Sequence, residues 1–451
     1  MASIRVLDQI QVSPPPNSVL DSTLPFTFFD VVWLHTGPVE RLFFYPFTHS
    51  VEHFVSHLLP VLKSSLSLAL QHFHFLAGRV KPSSLQPDLF EYSYSDGDSI
   101  PFLISESDAD FDELSGDTPR DYAKLFDLIP QLPKSDDGSI PLTALQVTVF
   151  PNRGISIGIA IHHVACDDSS SIHFVKTWSS ICKLGGGASS IAPPFYDRAV
   201  IADTNGLYSK TWSEMKQLAA NAPPPPPPHT TNIVKPASVI ASFSLTREQI
   251  DRLKRGILAK AAEGAAAAPH CSAFVVACAF SWVCLIKAQG GYSDKETAHL
   301  LFSVECRGRL TPPVPGEYFG NCLRPCFVEA SMDDLLKNDG VFPAALAIGR
   351  AIKRLEDGVL EGAEGWMQKI MSLIPSQPMS VGGSPRYKVY DVDFGLGKPK
   401  KVELMSIEKT PGTISLAESR EEQGGIEIGL VLPRAEMDGF SSCFSDGLKI
   451  L

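Results

Sequence analysis

The chain has 451 residues, 44% of them hydrophobic and 20% charged, so it can bury a large core and is not intrinsically disordered. At about 150 residues per domain, two or three domains are expected. Lys plus Arg (39) against Asp plus Glu (50) leaves a formal net charge of -11, which argues against nucleic acid or an anionic membrane as partner and requires any anionic ligand to meet a local basic patch.

The N-terminal segment MASIRVLDQIQVSPPPNS carries Asp8 and Gln9 where a signal peptide needs an apolar stretch, which points away from secretion. Over 58–73, Leu62, Leu66, Ala69, Leu70 and Phe73 fall at helical spacing, the pattern of a core-facing helix. GISIGIAIHH (154–163) alternates Ile155, Ile157, Ile159 and Ile161 with Ser156, Gly158 and Ala160, which predicts a largely buried strand. From 169 to 184, Ile172, Val175, Trp178, Ile181 and Cys182 share one side of a helix, so HVACDDS is a polar corner between strand and helix.

Between 191 and 235 prolines dominate, with six in a row at 223–228 that form an extended rod of roughly 19 Å. A crossover linker is expected there, with an SH3-type ligand as the alternative. VIASFSL then reads as a strand and TREQIDRLKRGI as a helix that Thr246 can cap, with Glu248 in its first turn. GAAAAP (264–269) reads as a surface loop, and 271–287 as the most hydrophobic helix, too short to span a bilayer.

Leu300 to Val304 predicts a buried strand, the prolines after 311 a loop, and 339–355 another helix. YKVYDVDFGLGKPKKVEL (387–404) reads as a strand broken by a glycine corner, and GTISLAE and GGIEIGLVL as two more strands. The result is two α/β halves, 1–190 and 236–451, joined by the linker. The nine cysteines show no CxxC pair, so reduced thiols and a cytosolic protein are expected; a monomer is expected as well.

The corner HHVACDD (162–168) is the densest chemistry in the chain. A metal site is one interpretation, but no distant third ligand is identifiable, and no metal is expected. His162 as a core histidine and Asp168 as the cap of the next helix account for two residues and leave His163 and Asp167. With an unperturbed pKa near ~6.5, His163 suits a general base. No nucleophile motif accompanies it, so direct attack by a substrate hydroxyl or amine is simpler than a covalent intermediate.

HHVACDD, CRGRL (306–310), YFGNC (318–322), SPR (384–386) and DFGLGKPKKVE (393–403) occur in the order and spacing of the plant BAHD acyltransferases. FFDVVWL (28–34) and LAGRV (76–80) also resemble that family, so the likeness covers essentially the whole chain, and YFGNC with DFG-GKPKKVE looks most like its anthocyanin and phenolic glucoside malonyltransferases.

The resemblance implies two similar chloramphenicol-acetyltransferase-like α/β domains with a channel between them, and transfer of an acyl group, malonyl by clade analogy, from coenzyme A to a phenolic or flavonoid glycoside. His163 would be the base, Asp167 would pair with Arg307 and hold the loop, and Asp393 would be structural. Lys254, Arg255, Ser272, Gly395, Lys398, Lys400 and Lys401 are the implied coenzyme contacts, and Leu396, Arg386, Phe29 and Trp33 the implied acyl and substrate pocket. Arg386 is the candidate cation for a malonyl carboxylate.

Position 396 departs from the family, which carries Trp there, so an indole N–H that helps an oxyanion would be missing. An aromatic or acetyl donor, or a weakly catalytic homologue that mainly binds, are the competing interpretations, and Cys166 is the thiol expected to govern inactivation.

Overall fold

The computed structural model describes residues 4–83, 86, 88–187, 189–221, 238–263, 270–290 and 295–449. Its first sheet has six strands in the order Ile4–Val12, Ile100–Ser107, Thr143–Phe150, Gly154–His162, Pro38–Pro46 and Lys401–Leu404. Gly154–His162 lies inside this sheet, antiparallel to both neighbours, and every residue in it is buried. Its four isoleucines enter the main core.

Ser156, Gly158 and Ala160 occupy the other face, which is also covered. A Cβ on Gly158 would lie 2.3 Å from the carbonyl oxygen of Leu128, so only glycine lets the 125–130 segment cross that close. The alternation therefore separates large from small side chains rather than core from solvent.

Helices Leu59–His72 and Asp168–Lys183 pack on the isoleucine face, where the Trp178 indole N–H donates to the carbonyl of Leu62 at 3.2 Å. A small sheet of Ser22–Pro25, Phe90–Tyr94, Arg79–Pro82 and Ile140–Pro141 adds to the same half.

The second large sheet has seven strands, ordered Leu323–Ser331, Thr297–Glu305, Met379–Gly382, Thr413–Glu418, Ile426–Pro433, Ser238–Leu245 and Arg120–Asp121. Helix Ala273–Ala288 is apolar on all sides because Val341–Lys353, Arg434–Lys449 and Arg247–Glu263 surround it. Among the described residues no helix is long and apolar enough to cross a membrane.

Each half lends a strand to the other. Lys401–Leu404 pairs with the first sheet and Arg120–Asp121 with the second. At this seam Lys401 is fully buried, with Nζ 2.9 Å from both Asp117 and Glu427, and Arg120 pairs with Glu403 at 2.7 Å.

Three segments differ from expectation. The 387–404 stretch is strand only over Lys401–Leu404; before it come 3-10 turns at Pro385–Tyr387 and Val389–Asp391, because the Asp393 carboxylate ties the amides of Gly395 and Gly397 at 2.8 Å each and folds the chain on itself. The 191–235 linker contains helix Leu207–Asn221, which buries Leu207, Tyr208 and Met215 on the first core, while the proline block 223–228 and GAAAAP (264–269) lie outside the described residues. Helix Arg434–Lys449 was not foreseen, although Met437, Phe440 and Phe444 have helical spacing.

Candidate active site

Strand Gly154–His162 delivers His163 to the corner just past its last paired residue. The His163 N–H donates to the carbonyl of Gly37 at 3.4 Å, and the ring stacks on Trp33 with centroids 3.6 Å apart and planes 3° from parallel. Nδ1 is buried without a hydrogen-bond partner, which leaves Nε2 as the nitrogen open to a ligand. Burial lowers the His163 pKa below its ordinary value, against the opposing pull of Asp167 and Asp168. The imidazole is thus neutral at neutral pH and can accept a proton.

The corner behind it is held by the other half of the chain. Asp167 caps helix Asp168–Lys183, accepting the Ser170 N–H at 3.0 Å, and grips Arg307 through two bonds of 2.8 and 3.0 Å. It also accepts the N–H of Cys322 at 3.1 Å. Arg307 donates further to the carbonyls of Tyr318 and Gly320.

Asn321 donates from Nδ2 to the carbonyls of His163 and Val164, both at 3.1 Å, and to Asp30 at 3.2 Å. Gly320, at φ +145°, is where the buried guanidinium of Arg198 packs against the backbone; a Cβ there would lie 2.2 Å from its Nη1. YFGNC is therefore a clamp on HHVACDD, a role that the sequence does not expose.

Asp168 is a correction. It is the first helical residue rather than the cap, and it makes a bidentate pair with Arg41 at 2.9 Å. Burial pushes the His162 pKa down to about 4, and its Nδ1 accepts the N–H of Val164 at 3.2 Å. With both aspartates taken by arginines, the corner offers no metal donor set, and among the described residues no cluster of three His, Cys, Asp or Glu could hold an ion.

Cys166 is also corrected. It is buried, and burial raises its thiol pKa well above the ordinary value, which keeps it protonated and unreactive. All nine cysteines are free thiols.

A cavity of about 670 Å³ has Trp33, whose ring stacks on His163, in its wall together with Phe29 and Thr36, while His163 itself does not line it. Leu301 and Ser303 from the second sheet and Trp366 and Met367 from helix Trp366–Leu373 complete an aromatic and aliphatic lining. Phe29 and Trp33 both line this cavity. Both are placed by the short helix Phe28–Val31 and its turn, whose capping box joins Thr27 and Asp30.

Several residues implied as coenzyme or acyl contacts lie elsewhere. Asp393 pairs with Lys183 at 2.8 Å, and despite partial burial the Lys183 ammonium and the two glycine amides hold its pKa below the ordinary value. Lys183 ends a helix of 16 residues that starts just after the base's corner, so the glycine corner lies at the far end of a helix about 24 Å long. Leu396 packs on the first core and does not line the 670 Å³ cavity, and Gly395 lies against Lys183. From that end of the helix no side chain at 396 touches a tetrahedral intermediate.

The lysines of KPKK are engaged. Lys398 pairs with Asp391, Lys400 with Asp112, and Lys401 is the buried seam residue. A run that looked like a free basic mouth is distributed over five carboxylate partners, Asp391, Asp112, Asp117, Glu403 and Glu427. Lys254 is half-buried beside Cys271, Arg255 is exposed, and neither has an ion-pair partner among the described residues. Ser272 caps helix Ala273–Ala288, accepting the Val275 N–H at 3.4 Å. Arg386 is exposed in the turn Pro385–Tyr387, and the next residue's carbonyl accepts Lys176 at 2.8 Å.

Comparison with known proteins places these observations. The family model described as Transferase family matches residues 3–446. The chain is 35% identical over 447 residues to malonyl-coenzyme:anthocyanin 5-O-glucoside-6'''-O-malonyltransferase of Salvia splendens, covering 96% of this chain and 93% of that protein. It is 37% identical over 469 residues to coumaroyl-CoA:anthocyanidin 3-O-glucoside-6''-O-coumaroyltransferase 2 of Arabidopsis thaliana, covering 99% and 97%. The crystal structure of vinorine synthase superposes with a TM-score of 0.70 at 21% identity, covering 97% of this chain and 96% of that one, a likeness of fold.

Proposed function

The chain belongs to the Transferase (BAHD) family of CoA-dependent acyltransferases, and from that premise we propose that it transfers an acyl group, malonyl in our reading, to a hydroxyl of a phenolic or flavonoid glycoside. The observation that carries the chemistry is His163, neutral by burial, stacked on Trp33 at the wall of a large apolar cavity. A phenolic ring suits that aromatic lining, with the sugar hydroxyl at Nε2.

His163 takes the hydroxyl proton as the oxygen attacks the thioester carbonyl. The new C–O bond forms, the C–S bond breaks, and the proton passes from the imidazole to the departing thiolate. The coenzyme supplies the activated acyl group. Lys254 and Arg255, without ion-pair partners among the described residues, and Ser272 suit its phosphates. Arg386, also without an ion-pair partner among the described residues, lies in an exposed turn and does not line the cavity, so it does not suit a malonyl carboxylate bound there. Nine free thiols fit a cytosolic enzyme, and we infer a monomer.

The coumaroyltransferase among the relatives and the apolar cavity favour a second reading, an aromatic donor. A panel of acyl-CoA donors against one phenolic glucoside separates the two. Higher kcat/KM with malonyl-CoA supports the first reading, and equal or better turnover with coumaroyl-CoA overturns it.

A further inference from the structure

The cavity walled by Trp33, the residue stacked on His163, has one feature that an apolar glycoside does not require. Among the described residues that line it, Arg324 is the only ionisable one. Its Nη1 donates to the carbonyls of Gly358 and Val359 at 3.2 and 3.0 Å, and its Nε to that of Pro325 at 3.3 Å. Its guanidinium stacks over the Trp366 ring at 5.1 Å.

Nη2 has no protein partner and is not sealed from solvent, and no carboxylate pairs with this arginine among the described residues. Of the other internal arginines near the site, Arg307 and Arg41 each hold an aspartate, and Arg198 is buried against the Tyr318 hydroxyl and the Phe319 carbonyl rather than facing this cavity. A guanidinium pinned on one side by carbonyls and open on the other, in an otherwise apolar wall, is preorganised for an anion.

We propose that Arg324 is a specificity-determining residue that binds a carboxylate brought into this cavity by one of the two substrates. The carboxylate comes either from the acyl chain, as in a malonyl group, or from the far end of the acceptor. The inference rests on the proposed acyl transfer and names the substrate class more narrowly, since a cationic acceptor would be disfavoured in both cases.

The test crosses two donors, malonyl-CoA and acetyl-CoA, with two phenyl glucosides, one bearing a para-carboxylate and one its methyl ester. Each combination is run with wild type, Arg324→Gln and Arg324→Lys. Loss of a charge-assisted hydrogen bond predicts that Arg324→Gln lowers the kcat/KM ratio of carboxylate to neutral substrate about 10- to 100-fold, and that Arg324→Lys restores part of it. The loss falls on the malonyl arms if the acyl chain carries the group, and on the para-carboxylate arms if the acceptor does. Because the readout is a ratio within one preparation, partial unfolding of a variant cancels. An unchanged ratio in all arms overturns the assignment of Arg324. Absence of turnover by wild type in every arm overturns the acyltransfer reading instead; retention of the para-carboxylate ligand by wild type and its tenfold weaker binding to Arg324→Gln, measured by Trp fluorescence, then still support the carboxylate site, and equal binding overturns it.

Discussion

Asp167→Ala should destabilise the fold more than any other single change in the catalytic corner. The substitution removes four accepted hydrogen bonds: two from Arg307, one from the Ser170 amide and one from the Cys322 amide. Arg307 stays buried, with only the half-exposed Glu305 at 3.0 Å as a charged partner. An uncompensated buried charge costs about 3–5 kcal/mol, and a lost helix cap about 1 kcal/mol.

These effects overlap, so a total of about 4–6 kcal/mol is expected, or a fall in Tm of about 4–6 °C for a chain of this length unfolding as one unit. The assay is thermal unfolding of wild type, Asp167→Ala, Arg307→Met and the double variant. The double variant leaves no orphaned charge, so it should be at least about 2 kcal/mol more stable than the sum of the singles predicts. A Tm of Asp167→Ala within 2 °C of wild type, or strict additivity, would refute the claim that this pair holds the corner.

Three further outcomes follow from the same structure. Gly158→Ala should cost about 2–3 kcal/mol, seen in denaturant midpoints, because its Cβ meets the backbone of Leu128, whereas Gly308→Ala, which meets nothing within 4 Å, should stay within about 0.5 kcal/mol. The kcat/KM profile should be level above pH 7 and fall as pH drops through the His163 pKa, which burial places below its usual ~6.5; an acid limb centred above pH 7 would contradict a neutral base. Leu396→Trp should leave kcat within about threefold, since position 396 lies at the far end of the helix, about 24 Å long, that starts just after the base's corner, and a tenfold rise would show that the glycine corner reaches the chemistry.

What could be read in the sequence was local and periodic. Helix Asp168–Lys183, the strand that delivers His163 and the all-apolar helix Ala273–Ala288 each followed from spacing over a few turns. Which of two adjacent aspartates caps the helix did not, because that depends on backbone torsion: Asp167, at φ −78° and ψ 175°, is the extended residue.

The larger misreading was KPKK, where three lysines in sequence look like one surface feature. Strand Lys401–Leu404 crosses to the other half's sheet, and that pairing, more than 350 residues away, buries Lys401 among carboxylates. The contacts that make the site, Trp33 on His163 and Asn321 on the His163 carbonyl, likewise join residues 130 and 158 positions apart. YFGNC was visible as a motif, but its function as a clamp emerges only when both halves are folded together.

The central claim is that His163 is the general base, and the most direct measurement is kcat of His163→Ala at saturating acyl-CoA and phenolic glucoside, with Tm recorded on the same preparations. The account predicts a fall of about 10²- to 10⁴-fold with Tm close to that of wild type. A folded His163→Ala enzyme that turns over within threefold of wild type would contradict it.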